Sequence, residues 1–240
     1  MSKLIAVCGS PESGKTTAAL KVAQELYYGK KGSIIFLSPD MSVPAMSFIF
    51  PHCKDSDLFS VGKALDKTDI YKEDVVKVLV AVKTMLNFGF LGFKAGENKF
   101  TYPRPTEDKV ASLFRVMKEL ADYAVIDCTS DSDDLISRMA VNEADSVIQM
   151  ITPDIKCMAY YSSQGERFDS VKDRCIKVMS VRDRDLFLPE DEIKSHFKNI
   201  QFVLPYSRPL KQQVITGTLS ERLADRKYRE QIAALAEKVV

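Results

Sequence analysis

A short apolar run at residues 4–8 leads straight into Gly9-Ser10-Pro11-Glu12-Ser13-Gly14-Lys15-Thr16. A helical pattern carrying Ala18, Ala19, Leu20, Val22 and Ala23 follows. The eight residues match G-x-x-x-x-G-K-[ST] in full. A turn of this kind needs a buried strand to deliver it and a helix to leave it, so the chain is bound to begin as an α/β sheet. Gly9 and Gly14 allow the backbone to aim several N–H groups inward, where they can meet phosphate oxygens. The helix opening near Gly14 adds its positive end. Lys15 brings a mobile charge to the β- and γ-phosphates, and Thr16 offers a hydroxyl to Mg²⁺, an ion that prefers oxygen ligands.

Strand-like runs recur at 33–37, 123–127, 146–151, 175–180 and 201–204. They are near-continuous apolar stretches, as expected of strands covered on both faces of a parallel sheet. Helical patterns fall between and after them, at about 15–28, 106–120, 132–143, 155–168, 189–198, 208–215 and 222–239. The alternation predicts a mostly parallel, doubly wound P-loop NTPase sheet with helices on both faces. The expectation is one P-loop NTPase domain over residues 1–240. Residues 41–105 interrupt the rhythm and are expected as an insertion after the second strand, because connections in such folds usually run to about 2–6 residues. That segment holds a helical stretch at 72–86 and then FGFLGFKAGENKFTYPRP. It either packs its own apolar residues or forms a partner-binding or nucleotide-responsive surface.

Two carboxylates stand at strand ends. In YAVIDCTSDSDD, Asp127 closes an apolar run, the place for a carboxylate that acts through the metal; the plainer alternative is a turn or helix cap. Asp131, Asp133 and Asp134 suit the start of the next helix. In IIFLSPDMSVP, Asp40 follows the second strand. From there it reaches the γ-phosphate side to orient water and approach the metal, or it simply makes a Pro-Asp turn. Thr16, Asp40 and Asp127 are the expected Mg²⁺ set.

Net charge of +1 gives no global pull toward nucleic acid or an anionic membrane, and neither is expected as a partner. The five cysteines show no CxxC spacing. Cys8, Cys128 and Cys175 sit in or beside strand-like runs and are expected as small buried hydrophobes, which fits a reducing compartment. With only two histidines, His52 and His196, a zinc site is not expected. The opening apolar run is too short for a signal peptide or a membrane span, and the chain is expected to be cytoplasmic. The C-terminal stripe of Tyr228, Ile232, Leu235 and Val239 is expected to pack on the core, with an amphipathic membrane helix as the alternative.

Along these residues the chain resembles the ParA/MinD family of P-loop ATPases, and it is similar to ParA-like ATPases of Gram-positive bacteria. The P-loop lies at the extreme N-terminus. IIFLSPD stands where the family has a strand ending in its switch aspartates, with Asp40 matching the last. DYAVIDCTSD resembles the family's Walker B strand, and ADSVIQMITPDI its following strand and loop. FVLPYSRPLKQQVITGTL is similar to the segment that lies against adenine. The resemblance implies ATP/ADP with Mg²⁺, slow or partner-stimulated hydrolysis, and a nucleotide-dependent homodimer. Carried over, Gly9, Ser10, Pro11, Glu12, Ser13, Gly14, Lys15, Thr16 and Thr17 bind phosphate. Lys15, Asp40 and Asp127 are the catalytic set, and Pro205 and Ser207 flank the base. One departure is chemical. The family's loop usually has lysine directly after its first glycine; here Ser10 stands there and Glu12 brings the opposite sign. A charge supplied in trans to a transferring phosphate is worth about 10³–10⁵ in rate.

The resemblance implies a switch that positions or regulates a partner assembly. A nucleotide-binding scaffold that does not turn over, as in a pilus or secretion apparatus, is the first alternative. A nucleotide kinase is the second, since GSPESGKTT has the form of an adenylate kinase P-loop. Its lid arginines would be Arg174, Arg182 and Arg184.

Overall fold

The computed structural model describes residues 2–30, 32–81, 85–182 and 190–240. Strand β1 (Lys3–Gly9) leads through the glycine-framed turn to helix α1 (Lys15–Lys30), and β2 (Ile34–Ser38) follows. Short helices α2 (Met46–Ile49) and α3 (Gly62–Leu65), helix α4 (Lys72–Val78) and strands β3 (Val80–Ala81) and β4 (Phe88–Gly92) come next. The remainder alternates: α5 (Glu107–Leu120), β5 (Tyr123–Asp127), α6 (Leu135–Glu143), β6 (Ser146–Ile151), α7 (Ile155–Asp169), β7 (Cys175–Ser180), α8 (Glu190–His196) and β8 (Ile200–Leu204). Helices α9 (Arg208–Thr216) and α10 (Arg226–Lys238) close the chain.

The eight strands form one sheet in the order β3-β4-β2-β5-β1-β6-β7-β8. Every neighbouring pair is parallel except β3 with β4. The strands alternate their side chains between two cores, as a period of two requires. From β1, Leu4, Ala6 and Cys8 enter one core with Leu113 and Phe114 of α5, Ile136 of α6 and Tyr161 of α7. Ile5 and Val7 enter the other with Leu20 and Ala23 of α1 and Ile232 and Leu235 of α10. This two-sided cover explains the near-continuous apolar runs, and it is the mostly parallel P-loop sheet with helices on both faces that the sequence predicts. The thiols of Cys8 and Cys128 are buried in the first core.

Within residues 41–105, to which the sequence assigns a helical stretch but no strand, FGFLG is strand β4, paired residue for residue with β2 from Ile34↔Phe88 to Ser38↔Gly92. Phe88, Phe90 and Leu91 are buried, so tertiary packing overrides the poor strand preference of two glycines in five residues. The helix expected over 72–86 stops at Val78, where Leu79 turns to extended backbone and β3 begins; residues 82–84 lie outside the described part. The expected helix at 132–143 starts only at Leu135, where Asp134 caps it by accepting from the Ser137 amide at 2.8 Å. Residue 189, the expected start of the 189–198 helix, is also outside the described residues.

At the C-terminus, Tyr228, Ile232, Leu235 and Val239 are all buried, and α10 packs along α1. The stripe is therefore core. No helix among the described residues is long and apolar enough to cross a membrane.

Candidate functional site

A parallel sheet places the ends of all its strands, and the loops that leave them, along one edge. The Gly9–Thr16 turn, the Asp40 loop and the Asp127 loop meet there because β1 sits beside β5, and β5 beside β2. The turn is tightly built. A side chain at Gly9 would begin 2.6 Å from the Ser13 hydroxyl and 2.8 Å from the Met150 carbonyl of β6. Gly14 has φ +84°, open to glycine at little cost, and Glu12 adopts φ 60° at the exposed crown. The Ser13 amide donates to the Ser10 carbonyl at 3.2 Å, closing the turn just before the first turn of α1.

Lys15 folds back over the loop. Its Nζ donates to the Ser10 carbonyl at 2.9 Å and to the Ser130 hydroxyl at 2.6 Å. Ser130 in turn donates to the Gly9 carbonyl at 3.0 Å. Burial holds the Lys15 ammonium below the usual lysine range, with the Asp127 carboxylate acting against that shift.

Asp127 is 4% exposed. Its Oδ2 accepts from the Ser38 hydroxyl at 3.1 Å, while Oδ1 is buried without a hydrogen-bond partner. Burial pushes the carboxyl up to about 6. The nearby Thr16 hydroxyl, the Lys15 charge and Ser38 pull it back, and Asp40 adds to the rise. Thr16 favours the charged carboxylate without completing a hydrogen bond to Oδ1. A buried carboxylate oxygen with nothing to accept from, next to a threonine hydroxyl and a lysine at a helix start, is an arrangement that a divalent cation and a phosphate chain would complete.

Asp40 lies within electrostatic reach of both Asp127 and Lys15, and it also makes a turn: Oδ1 accepts from the Ser42 and Val43 amides at 2.7 and 2.9 Å. The turn reading of Asp40 thus holds, and the same carboxylate stands on the Asp127 side of the phosphate turn. Ser10 is 1% exposed, its hydroxyl near the Cys157 thiol but outside hydrogen-bond geometry. It therefore points into the protein. The Ser13 hydroxyl is likewise buried and unpartnered, while Pro11 and Glu12 face solvent and Thr16 and Thr17 are half-buried.

Pro205 and Ser207 leave the same sheet edge after β8, three strands from β1, which at ordinary spacing is about 14 Å away. Ser207 is buried and caps α9, accepting from the Leu210 amide at 3.3 Å. Its hydroxyl is thus already used by the backbone. Between β1 and β8 the end of β7 fills the gap, with the Ser180 hydroxyl 3.8 Å from where a Gly14 side chain would begin.

Of the three arginines of the kinase reading, the two among the described residues do not gather. Arg182 donates to the Glu12 carbonyl on the P-loop, but Arg174 stands at the far end of β7 and donates to the Asn142 carbonyl. Arg184 lies outside the described residues. Four site residues went unforeseen as parts of the constellation: Ser38, Ser130, Ser180 and the P-loop contact of Arg182. Ser38 and Ser130 each stand within three residues of a carboxylate singled out by sequence, which was their available signal.

No family model and no curated protein matches the chain. Solved structures do. MinD from Pyrococcus horikoshii OT3, complexed with Mg-ADP, superposes with a TM-score of 0.75 at 14% identity, covering 100% of this chain and 96% of that one. The ParA family ATPase from Chlorobium tepidum TLS gives 0.75 at 12% identity, covering 98% of each. MinD of Aquifex aeolicus in a MinC:MinD complex gives 0.72 at 16% identity, covering 98% of this chain and 95% of that one. The chain therefore has the P-loop α/β fold of the MinD and ParA ATPases.

Proposed function

We propose that this protein is a ParA/MinD-like switch that binds ATP with Mg²⁺, hydrolyses it slowly, and positions or regulates a partner assembly in the cytoplasm. The observation that carries this reading is the buried, half-satisfied Asp127 beside Thr16 and Lys15 at the mouth of the Gly9–Thr16 turn. The P. horikoshii MinD of the same fold was solved with Mg-ADP, which supports the choice of ligand.

In this reading the amides from Gly9 to Thr17 cradle the phosphates. Lys15 gives up Ser10 and Ser130 and turns its ammonium onto the phosphate chain. Thr16 and Asp127 hold Mg²⁺, with Asp40 beyond them; the ion would neutralise phosphate charge during transfer. Asp40 keeps Oδ1 in its turn and uses Oδ2 to orient water. Pro205 and Ser207 flank the base. Protein partners dock on 41–105, where Tyr71, Val76, Leu86 and Phe100 expose apolar surface. The A. aeolicus MinD:MinC complex is a precedent of the same fold for a partner.

The inward-facing Ser10 favours a second reading, a non-hydrolysing scaffold, because no cation leaves the loop at that position. Phosphate release, measured with and without partner, separates the two. For the shared part, calorimetry with Mg-ATP on wild type and Lys15→Ala is decisive: the wild type binds and the variant does not. Equal affinity would remove the site. Sizing the same samples with and without ATP tests the nucleotide-dependent homodimer.

A further inference from the structure

Strand β7 runs into the start of α1, as the approach of Ser180 to Gly14 shows, and two residues later Arg182 reaches the phosphate turn. Its Nη1 donates to the carbonyl of Glu12, the crown residue with φ 60°. By strand order, Asp127 on β5 and Asp40 after β2 approach the turn from one flank, and Arg182 after β7 approaches from the other. Lys15 is drawn to the first flank by Ser130 and Asp127. The turn itself places no cation on the second flank, since Ser10 faces inward and the exposed residues are Pro11 and Glu12. A guanidinium has five N–H donors in a planar fork, and the Glu12 carbonyl uses only one of them.

We propose that Arg182 is a second phosphate-binding cation of this site, supplied in cis from the loop after β7, which bridges the Glu12 carbonyl and the phosphates that ATP and ADP share. The inference rests on the nucleotide-binding reading above. Standing opposite the two carboxylates, Arg182 grips the chain away from the metal flank. It therefore strengthens binding of both nucleotides by the same factor. Through Glu12 it also fixes the left-handed crown when the nucleotide is seated.

The test is calorimetry of Mg-ADP and Mg-ATP on wild type, Arg182→Ala and Arg182→Lys across a salt series, with melting curves of the ligand-free proteins. A lost charge-assisted hydrogen bond corresponds to about a ten- to hundredfold weaker affinity. Arg182→Ala is expected to lose that factor for both nucleotides, to show a shallower salt dependence, and to melt only slightly below the wild type, since its one deleted contact, to Glu12, is exposed. Arg182→Lys is expected to recover part of the affinity as a point charge. Wild-type affinity in Arg182→Ala would overturn the proposal, as would a loss that leaves the wild-type salt dependence intact. A wild type that binds neither nucleotide is a different result, and it removes the site together with this inference.

Discussion

Replacing Asp127 by asparagine should make the ligand-free protein more stable while damaging its function. The carboxyl is 4% exposed, one oxygen lacks a partner, and burial raises it from 3.8 to about 6. Each pH unit between those values is worth 1.36 kcal/mol, so the charged form costs the fold about 3 kcal/mol at neutral pH. Between pH 3.8 and about 6 the folded state keeps a proton that the unfolded chain has lost. Stability from this group therefore falls as pH rises through that window and stays level above it. Asparagine keeps the acceptor for Ser38 and carries no charge. For a chain of this size, about 3 kcal/mol corresponds to roughly 6–12 °C in Tm. That is an upper bound, because the new amide N–H groups need the Thr16 hydroxyl as acceptor. Thermal melts of wild type and Asp127→Asn from pH 4 to 8, without nucleotide, read the difference. The two should coincide near pH 4, separate up to about pH 6, and run parallel beyond, with Mg-ATP narrowing the gap by stabilising only the wild type. A gap that does not change with pH, or an asparagine variant that is the less stable at pH 7, would refute the reasoning.

Asp40→Ala is expected to retain Mg-ATP binding and lose phosphate release, with a small loss of Tm because the Ser42 and Val43 amides lose their acceptor; unchanged turnover would place Asp40 outside the chemistry. Ser130→Ala removes the 2.6 Å tether on Lys15. The ligand-free protein should lose about 1–2 kcal/mol in denaturant melts. Mg-ADP affinity should hold or rise, since Lys15 no longer has to leave a partner, and a large drop in affinity would show that Ser130 serves the bound state instead.

The parts of the site that sequence exposes are those built by adjacent residues. Gly9 to Thr16 is readable because strand, turn and helix follow within one stretch, and each glycine has a local reason. Asp127 is readable because it ends an apolar run. Strand β4 is not, because Phe88-Gly89-Phe90-Leu91-Gly92 earns its conformation from neighbours: Phe90 stacks on Phe36 of β2 with ring centroids 5.4 Å apart. The early end of α4 is hidden for a related reason, since Val75, Val76, Val78, Leu79 and Val80 continue an apolar pattern across the break. The contacts of Asp127 with Ser38 and of Arg182 with Glu12 span 89 and 170 residues. Strand order creates both, and no local rule carries strand order.

The membership of β4 in the sheet has a practical consequence. Excising 41–105 to probe docking would strip β2 of one of its two strand neighbours and leave an edge of open amides and carbonyls, a template for aggregation. The proposed docking surface and the proposed nucleotide scaffold thus share one hydrogen-bonded ladder. Transplanting one without the other would yield an insoluble chain, and dissection has to proceed by substitutions on the exposed side chains.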